Sequence, residues 1–111
     1  MPSKILIVDD EPFNLDLLEQ ELADLGYPSE RAGDGRQALE KIDKLNPDLV
    51  LLDYRMPEMN GIDVLREIRQ RNKDLPVIMI TAYGTIDVAV EAVKAGADDF
   101  CVKTEDMAPL V

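Results

Sequence analysis

The chain of 111 residues contains no histidine and a single cysteine. Without an imidazole, most general acid–base and metal-hydrolase chemistry loses its usual agent near neutral pH. One cysteine permits no internal disulfide and offers no zinc-ligand spacing. Cys101 falls inside an apolar run, where it reads as a small core residue in a reducing compartment. Basic residues are also scarce: 12 Lys and Arg stand against 23 Asp and Glu, giving a formal net charge of −11. Such a surface repels phosphate backbones, which argues against direct nucleic-acid binding, and it favours metal cations and basic protein surfaces. No apolar stretch approaches the roughly 18 residues of a membrane span, and the start lacks the basic, apolar and small-residue regions of a signal peptide. The expectation is a cytoplasmic protein that does not enter the membrane. Repeats, low-complexity tracts and interdomain linkers are missing as well.

What remains is ordinary for one globular domain over residues 1–111, with 46% hydrophobic and 32% charged residues. Four apolar runs stand out: Ile5 to Val8, Leu49 to Leu52, Val77 to Ile80, and Phe100 to Val102. Continuous apolar runs with β-branched members read as strands buried on both faces of a parallel sheet. A fifth strand is expected over 27–32. It is polar and contains Pro28, so it reads as a weak edge strand.

Helices fit between the strands. Glu11-Pro12 opens the first, Leu15, Leu18, Leu22 and Leu25 recur at helical spacing, and Gly26 stops it. After Asp34-Gly35 a second carries Ala38, Leu39, Ile42 and Leu45 until Asn46-Pro47. Gly61 leads into a third, buried through Ile62, Leu65 and Ile68. A fourth, with Ile86, Ala89, Val90 and Val93, ends at Gly96. Alternating strands and helices in short connections specify a doubly wound α/β fold with a five-stranded parallel sheet.

In such a sheet all strand carboxyl ends share one edge, where these folds bind ligands. The apolar runs end on Asp9-Asp10, Asp53, Thr81 and Lys103. Taken singly, each has a plain reading: a solvated turn or helix cap, a β-branched strand residue, a surface lysine. Their coincidence at four strand ends carries the argument. Two carboxylates about 5 Å apart repel by roughly 3 kcal/mol at an effective dielectric near 20, so three together call for a cation. Oxygen donors without histidine or cysteine select a hard ion, Mg2+ before zinc or copper. Thr81 can donate to a phosphoryl oxygen, and Lys103 supplies a fixed positive charge.

These residues also carry a family resemblance. The chain resembles the receiver domain of bacterial two-component response regulators from Lys4 to about Lys103. The matching segments are Val8-Asp9-Asp10-Glu11-Pro12, Asp53-Tyr54-Arg55-Met56-Pro57-Glu58-Met59-Asn60-Gly61, Thr81-Ala82-Tyr83-Gly84, and Gly96-Ala97-Asp98-Asp99-Phe100 followed by Lys103. The resemblance implies a flavodoxin-like sheet of order 2-1-3-4-5 and a phosphoprotein that works in phosphorelay signal transduction rather than as an enzyme. Asp53 would accept a phosphoryl group from the phosphohistidine of a histidine kinase or phosphotransfer protein. Asp9, Asp10, Asp53 and the backbone carbonyl of Arg55 would hold Mg2+. Thr81, the Ala82 N–H and Lys103 would grip the phosphoryl oxygens. Thr81 and Phe100 would form the switch, altering the 85–103 surface toward an effector domain or downstream protein. With no histidine of its own, the chain must draw any phosphohistidine from another protein.

Two departures from the family are visible. Receivers follow the lysine with proline across a cis bond, whereas Thr104 follows Lys103 here. A cis bond before a non-proline residue costs about 3 kcal/mol, so a trans bond is expected. Receivers also end in a fifth helix, but only Glu105 to Val111 follow, with Pro109 among them, so that helix is expected to be missing or a single turn. Ile5, Ile7 or Leu51 would then be partly uncovered, and a homodimer is one way to cover them. The competing functions are an aspartyl-phosphate phosphatase, a receiver-like scaffold that works without phosphorylation, and a flavodoxin-like cofactor binder. The first would carry its nucleophile after the first strand in a D-x-D spacing absent from Asp9-Asp10. The intact acidic cluster disfavours the second. For the third, Asp9-Asp10-Glu11 would repel a cofactor phosphate.

Overall fold

The structure, a computed structural model, describes residues 4–56, 60–81 and 85–102. Five strands and four helices alternate among these residues: β1 (Ile5–Val8), α1 (Pro12–Asp24), β2 (Ser29–Ala32), α2 (Gly35–Leu45), β3 (Leu49–Asp53), α3 (Gly61–Arg71), β4 (Val77–Thr81), α4 (Ile86–Ala95) and β5 (Asp99–Val102). The strands form one sheet in the order β2-β1-β3-β4-β5, and every pairing is parallel. This is the expected doubly wound architecture. None of the helices described is long and apolar enough to cross a membrane.

The sheet buries two apolar layers. On one face Leu6, Val8, Val50, Leu52, Val77 and Met79 pack against Ala38 and Ile42 of α2, and against Ile62, Val64, Leu65 and Ile68 of α3. Each fully buried aliphatic side chain there contributes about 1.5–3 kcal/mol of transfer free energy. On the other face Ile5 and Ile7 lie beneath Leu15, with Leu18, Leu22, Leu49 and Leu51 alongside. Leu15, Leu18 and Leu22 pack on that side of β1; Ile5 and Ile7 are buried, and Leu51, one of the three residues of which partial exposure was expected, is half-buried. Residues 103–111, for which a short or missing helix and a trans bond were expected, lie outside the described residues.

Helix ends follow their local chemistry. Asp34, Asn60 and Thr85 each accept a hydrogen bond from the third residue onward, at 2.8, 3.0 and 3.2 Å. Gly26 and Gly96 end α1 and α4 with positive φ, and Asn46 does the same for α2.

Two expectations fail, both at the β5 side. Cys101 is exposed rather than part of the core. Edge strand β5 alternates: Phe100 and Val102 turn toward the helices, while Asp99 and Cys101 turn to the opposite face. Helix α4 keeps only Ala92 fully buried and leaves Ile86, Val90 and Val93 in solvent. Its apolar residues form two stripes, and the smaller one, with Val88, Ala92 and Ala95, faces inward.

Candidate metal and phosphoryl site

Two strands deliver the acidic residues to one edge. Asp9 follows the last residue of β1, and Asp53 closes β3. Because β1 and β3 are parallel neighbours with Val8 opposite Leu52, both aspartates emerge at the same level. The Asp9 backbone N–H is fixed to the Ala32 carbonyl of β2 at 3.1 Å, and its Oδ1 accepts the Glu11 N–H at 3.0 Å. Glu11 also caps α1, its Oε1 accepting from Phe13 N–H at 3.2 Å. The start of α1 thereby orients the Asp9 carboxylate.

Asp9 and Asp53 are buried and Asp10 is exposed, and carboxylate oxygens from all three lie within 4.8 Å of one another. Desolvated like charges at this spacing gain much from a multivalent cation. Donors that are all oxygen, one of them open to solvent, suit magnesium, which keeps several water ligands. The residues therefore fit the ion their chemistry implies.

Thr81 ends β4 and is buried one step along the same edge, since Asp53 lies opposite Ile80. Its neighbour across the sheet is Val102, and Phe100 lies opposite Met79. Thr81 and Phe100 thus share one sheet face, and Phe100 packs half-buried against the larger core layer. Arg55 is exposed two residues past Asp53. Ala82 and Lys103, both expected at this edge, fall outside the described residues.

Gly61 supports the site without carrying a reactive group. A Cβ there would run into the Asp53 carbonyl oxygen, lie 2.9 Å from Tyr54 Cα and 3.0 Å from Met79 Sδ. Gly61 N–H also bonds to the Tyr54 carbonyl at 2.7 Å. The start of α3 is pressed onto the backbone that carries Asp53, and only glycine leaves room. In the sequence the Asn60-Gly61 pair signals a helix start, and its spacing says nothing of the contact with Asp53.

A cluster of three carboxylates at the carboxyl edge of a 2-1-3-4-5 parallel sheet is the arrangement of a receiver-like α/β protein. Comparison with known proteins agrees: the family model described as response regulator receiver domain matches residues 5–111, and the chain belongs to that family. It is 42% identical over 104 residues to the chemotaxis protein CheY of Thermotoga maritima, covering 93% of this chain and 87% of that one. With the transcriptional regulatory protein ZraR of Klebsiella oxytoca it is 46% identical over 102 residues, 92% of this chain. The chain spans only 23% of the length of that regulator and of the regulatory protein AtoC of Escherichia coli. Among solved structures, the Vibrio cholerae chemotaxis protein CheY4 superposes with a TM-score of 0.90 at 31% identity, covering 99% of this chain and 93% of that one. The response regulator TrrA of Thermotoga maritima, solved in complex with Mg(2+)-BeF, superposes at 0.86 with 39% identity, covering 97% and 92%.

Proposed function

We propose that this receiver is a phosphorylation-switched signalling module whose phosphoacceptor is Asp53. The observation that carries the reading is the convergence of Asp9, Asp10 and Asp53 within 4.8 Å, with Asp53 buried at the end of β3. An ionised carboxylate needs no general base: an Asp53 oxygen attacks the phosphorus of a phosphohistidine, the P–N bond breaks, and its electron pair returns to the imidazole, which takes up a proton. Phosphoryl transfer asks mainly for positioning and charge neutralisation.

Asp9, Asp10, Asp53 and the Arg55 carbonyl are the ligands assigned to Mg2+, which when bound neutralises charge on the phosphoryl oxygens. Thr81, the Ala82 N–H and the Lys103 ammonium take the remaining oxygens. The donor is a histidine kinase or phosphotransfer protein in the cytoplasm. The output is a change in the 85–103 surface through Thr81 and Phe100, read by an effector domain or a downstream protein rather than by nucleic acid. Turnover is limited to self-phosphorylation from small donors and slow hydrolysis of the acyl phosphate.

Mass spectrometry after incubation with acetyl phosphate and magnesium tests this. One added phosphoryl mass is expected, lost in Asp53→Asn. Phosphate carried on Ser29 or Thr85 instead rejects Asp53. Repeated turnover of a small phosphate ester would favour the phosphatase, and a chain that takes no phosphate would favour the scaffold.

A further inference from the structure

Among the described residues, helix α4 is held unevenly along its length. At its start, Thr85 Oγ1 accepts from Val88 N–H at 3.2 Å, and Ile86 and Val90 stand in solvent. Its other end is tied from several sides. Gly96 and Ala97 N–H return to the Val93 and Ala92 carbonyls at 3.0 Å each. Arg69, in the last turn of α3, has only 17% of its side chain exposed. Its Nε donates to the Gly96 carbonyl at 2.9 Å, Nη1 to the Leu75 and Asn72 carbonyls at 2.7 and 3.3 Å, and Nη2 to Asp98 Oδ2 at 2.9 Å. Asp98 Oδ2 also accepts Val77 N–H at 2.9 Å, and Asp98 N–H donates to the Val77 carbonyl at 2.9 Å. One guanidinium thus joins the ends of α3 and α4 to the starts of β4 and β5. Charge-assisted bonds are roughly twice as strong as neutral ones.

We propose that Arg69 is a positioning residue that makes the C-terminal end of α4 a fixed pivot, so that the helix opens and rearranges from its Thr85 end. That end lies at the carboxyl edge of the sheet, the edge of the Asp53 site. The pivot stands on its own, and only its use as a lever for phosphorylation rests on the function proposed above. Lysine cannot replace the planar fork, because one ammonium does not reach four acceptors on two chain turns.

Residue-resolved amide exchange on the unphosphorylated chain tests the pivot. Protection is expected to rise from Val90 toward Ala97. In Arg69→Gln and the milder Arg69→Lys, exchange at Ala97 and Asp98 is expected to rise about tenfold beyond any rise at Val50 and Leu52, which report global opening. Arg71→Gln, which removes the 2.8 Å pair with Asp43 on the neighbouring helix, is the control and should lack the local excess. Equal protection at both ends of α4 in the unmodified chain, a uniform rise in the Arg69 variants, or the same excess in the Arg71 variant overturns the pivot. In protein shown by mass to carry the phosphoryl group, exchange should change at Val88 to Val90 and not at Ala97 and Asp98. An equal change at both ends overturns the lever.

Discussion

Helices α3 and α4 lie side by side over the same sheet face and differ in what holds them. Helix α3 buries Gly61, Ile62, Val64, Leu65 and Ile68, whereas α4 buries Ala92 alone. Val93 is 64% exposed and Ile86 82% exposed, while Leu65 has no exposed surface. The first helix is part of the core, and the second is laid on it and clamped at one end. An element with few buried apolar contacts opens locally at low cost, as a signalling surface must. The side chain that clamps α4 belongs to α3, so the rigid helix provides the fixed point for the loose one.

The contrast is broken most forcefully by truncating equivalent aliphatics. Leu65→Ala in α3 removes fully buried atoms and is expected to cost about 2–5 kcal/mol in urea unfolding. Val93→Ala in α4 is expected to stay within about 0.5 kcal/mol of the unmodified chain. If Val93→Ala cost as much as Leu65→Ala, α4 would be a core helix and the comparison would fail.

The second effect concerns the sheet edge next to both helices. Magnesium at about 100 times its dissociation constant stabilises a fold that binds it by about 2.7 kcal/mol. The melting temperature is expected to rise with magnesium, and Asp10→Asn is expected to lose most of that rise, because Asp10 is one of the three clustered carboxylates. Asp10 is exposed and supports no core contact, so the variant should fold. An unchanged magnesium response in Asp10→Asn would remove Asp10 from the site.

Glycines sharpen the comparison further. Gly61→Ala sets a methyl group against the Asp53 carbonyl and the Tyr54 backbone, which cannot yield cheaply. Gly96→Ala meets chiefly the flexible stem of Arg69, but at a φ of +108°. Each is expected to cost about 1–3 kcal/mol, by close packing in the first and backbone strain in the second. Their readouts should separate. Gly61→Ala is expected to weaken the magnesium-dependent rise in melting temperature through Asp53, and Gly96→Ala to leave it intact while raising exchange at Ala97. A normal magnesium response in Gly61→Ala would mean that α3 does not set the Asp53 geometry.

The buried side of this molecule was legible in its sequence. Runs such as Ile5 to Val8 and Leu49 to Leu52 have no polar alternate to place in water, so they could only be strands covered on both faces. Asp9, Asp10 and Asp53 follow from those runs, because a parallel sheet sends all its strand ends to one edge. The rest depended on which side of an element faces inward. In α4 the spacing of Ile86, Val90 and Val93 matches that of Val88, Ala92 and Ala95, and periodicity alone does not say which stripe meets the core. Cys101 looked buried because its neighbours are apolar, but β5 is an edge strand with one covered face. Arg69, at a helix end rich in basic residues, resembles any surface arginine until the chain turns of α3–β4 and α4–β5 close around it.

The smallest expected effect comes from a second arginine, on the opposite side of the sheet. Arg31 of β2 donates through Nε to Glu19 and through Nη2 to Asp16 on α1, each at 2.7 Å. With 38% of its side chain exposed, it is an open version of the Arg69 clamp. The hydrogen bond from Arg31 holds the Glu19 carboxyl below its ordinary value of 4.5, outweighing desolvation. The same bonds raise Arg31, which stays charged at every relevant pH. A depressed carboxyl makes the unfolded chain bind more protons than the folded one, so stability rises with pH across that interval. The contribution is complete above pH 4.5 and disappears as pH falls through the lower folded value. Glu19→Gln is therefore expected to melt slightly lower than the unmodified chain at pH 7, and the gap should close in acid. Solvent screening keeps that gap to about two degrees, and about 1 M salt should shrink it further. A difference as large at pH 3 as at pH 7 would show that Glu19 acts through packing. A loss rivalling Leu65→Ala would show that an exposed clamp holds its helix as firmly as the buried core holds α3.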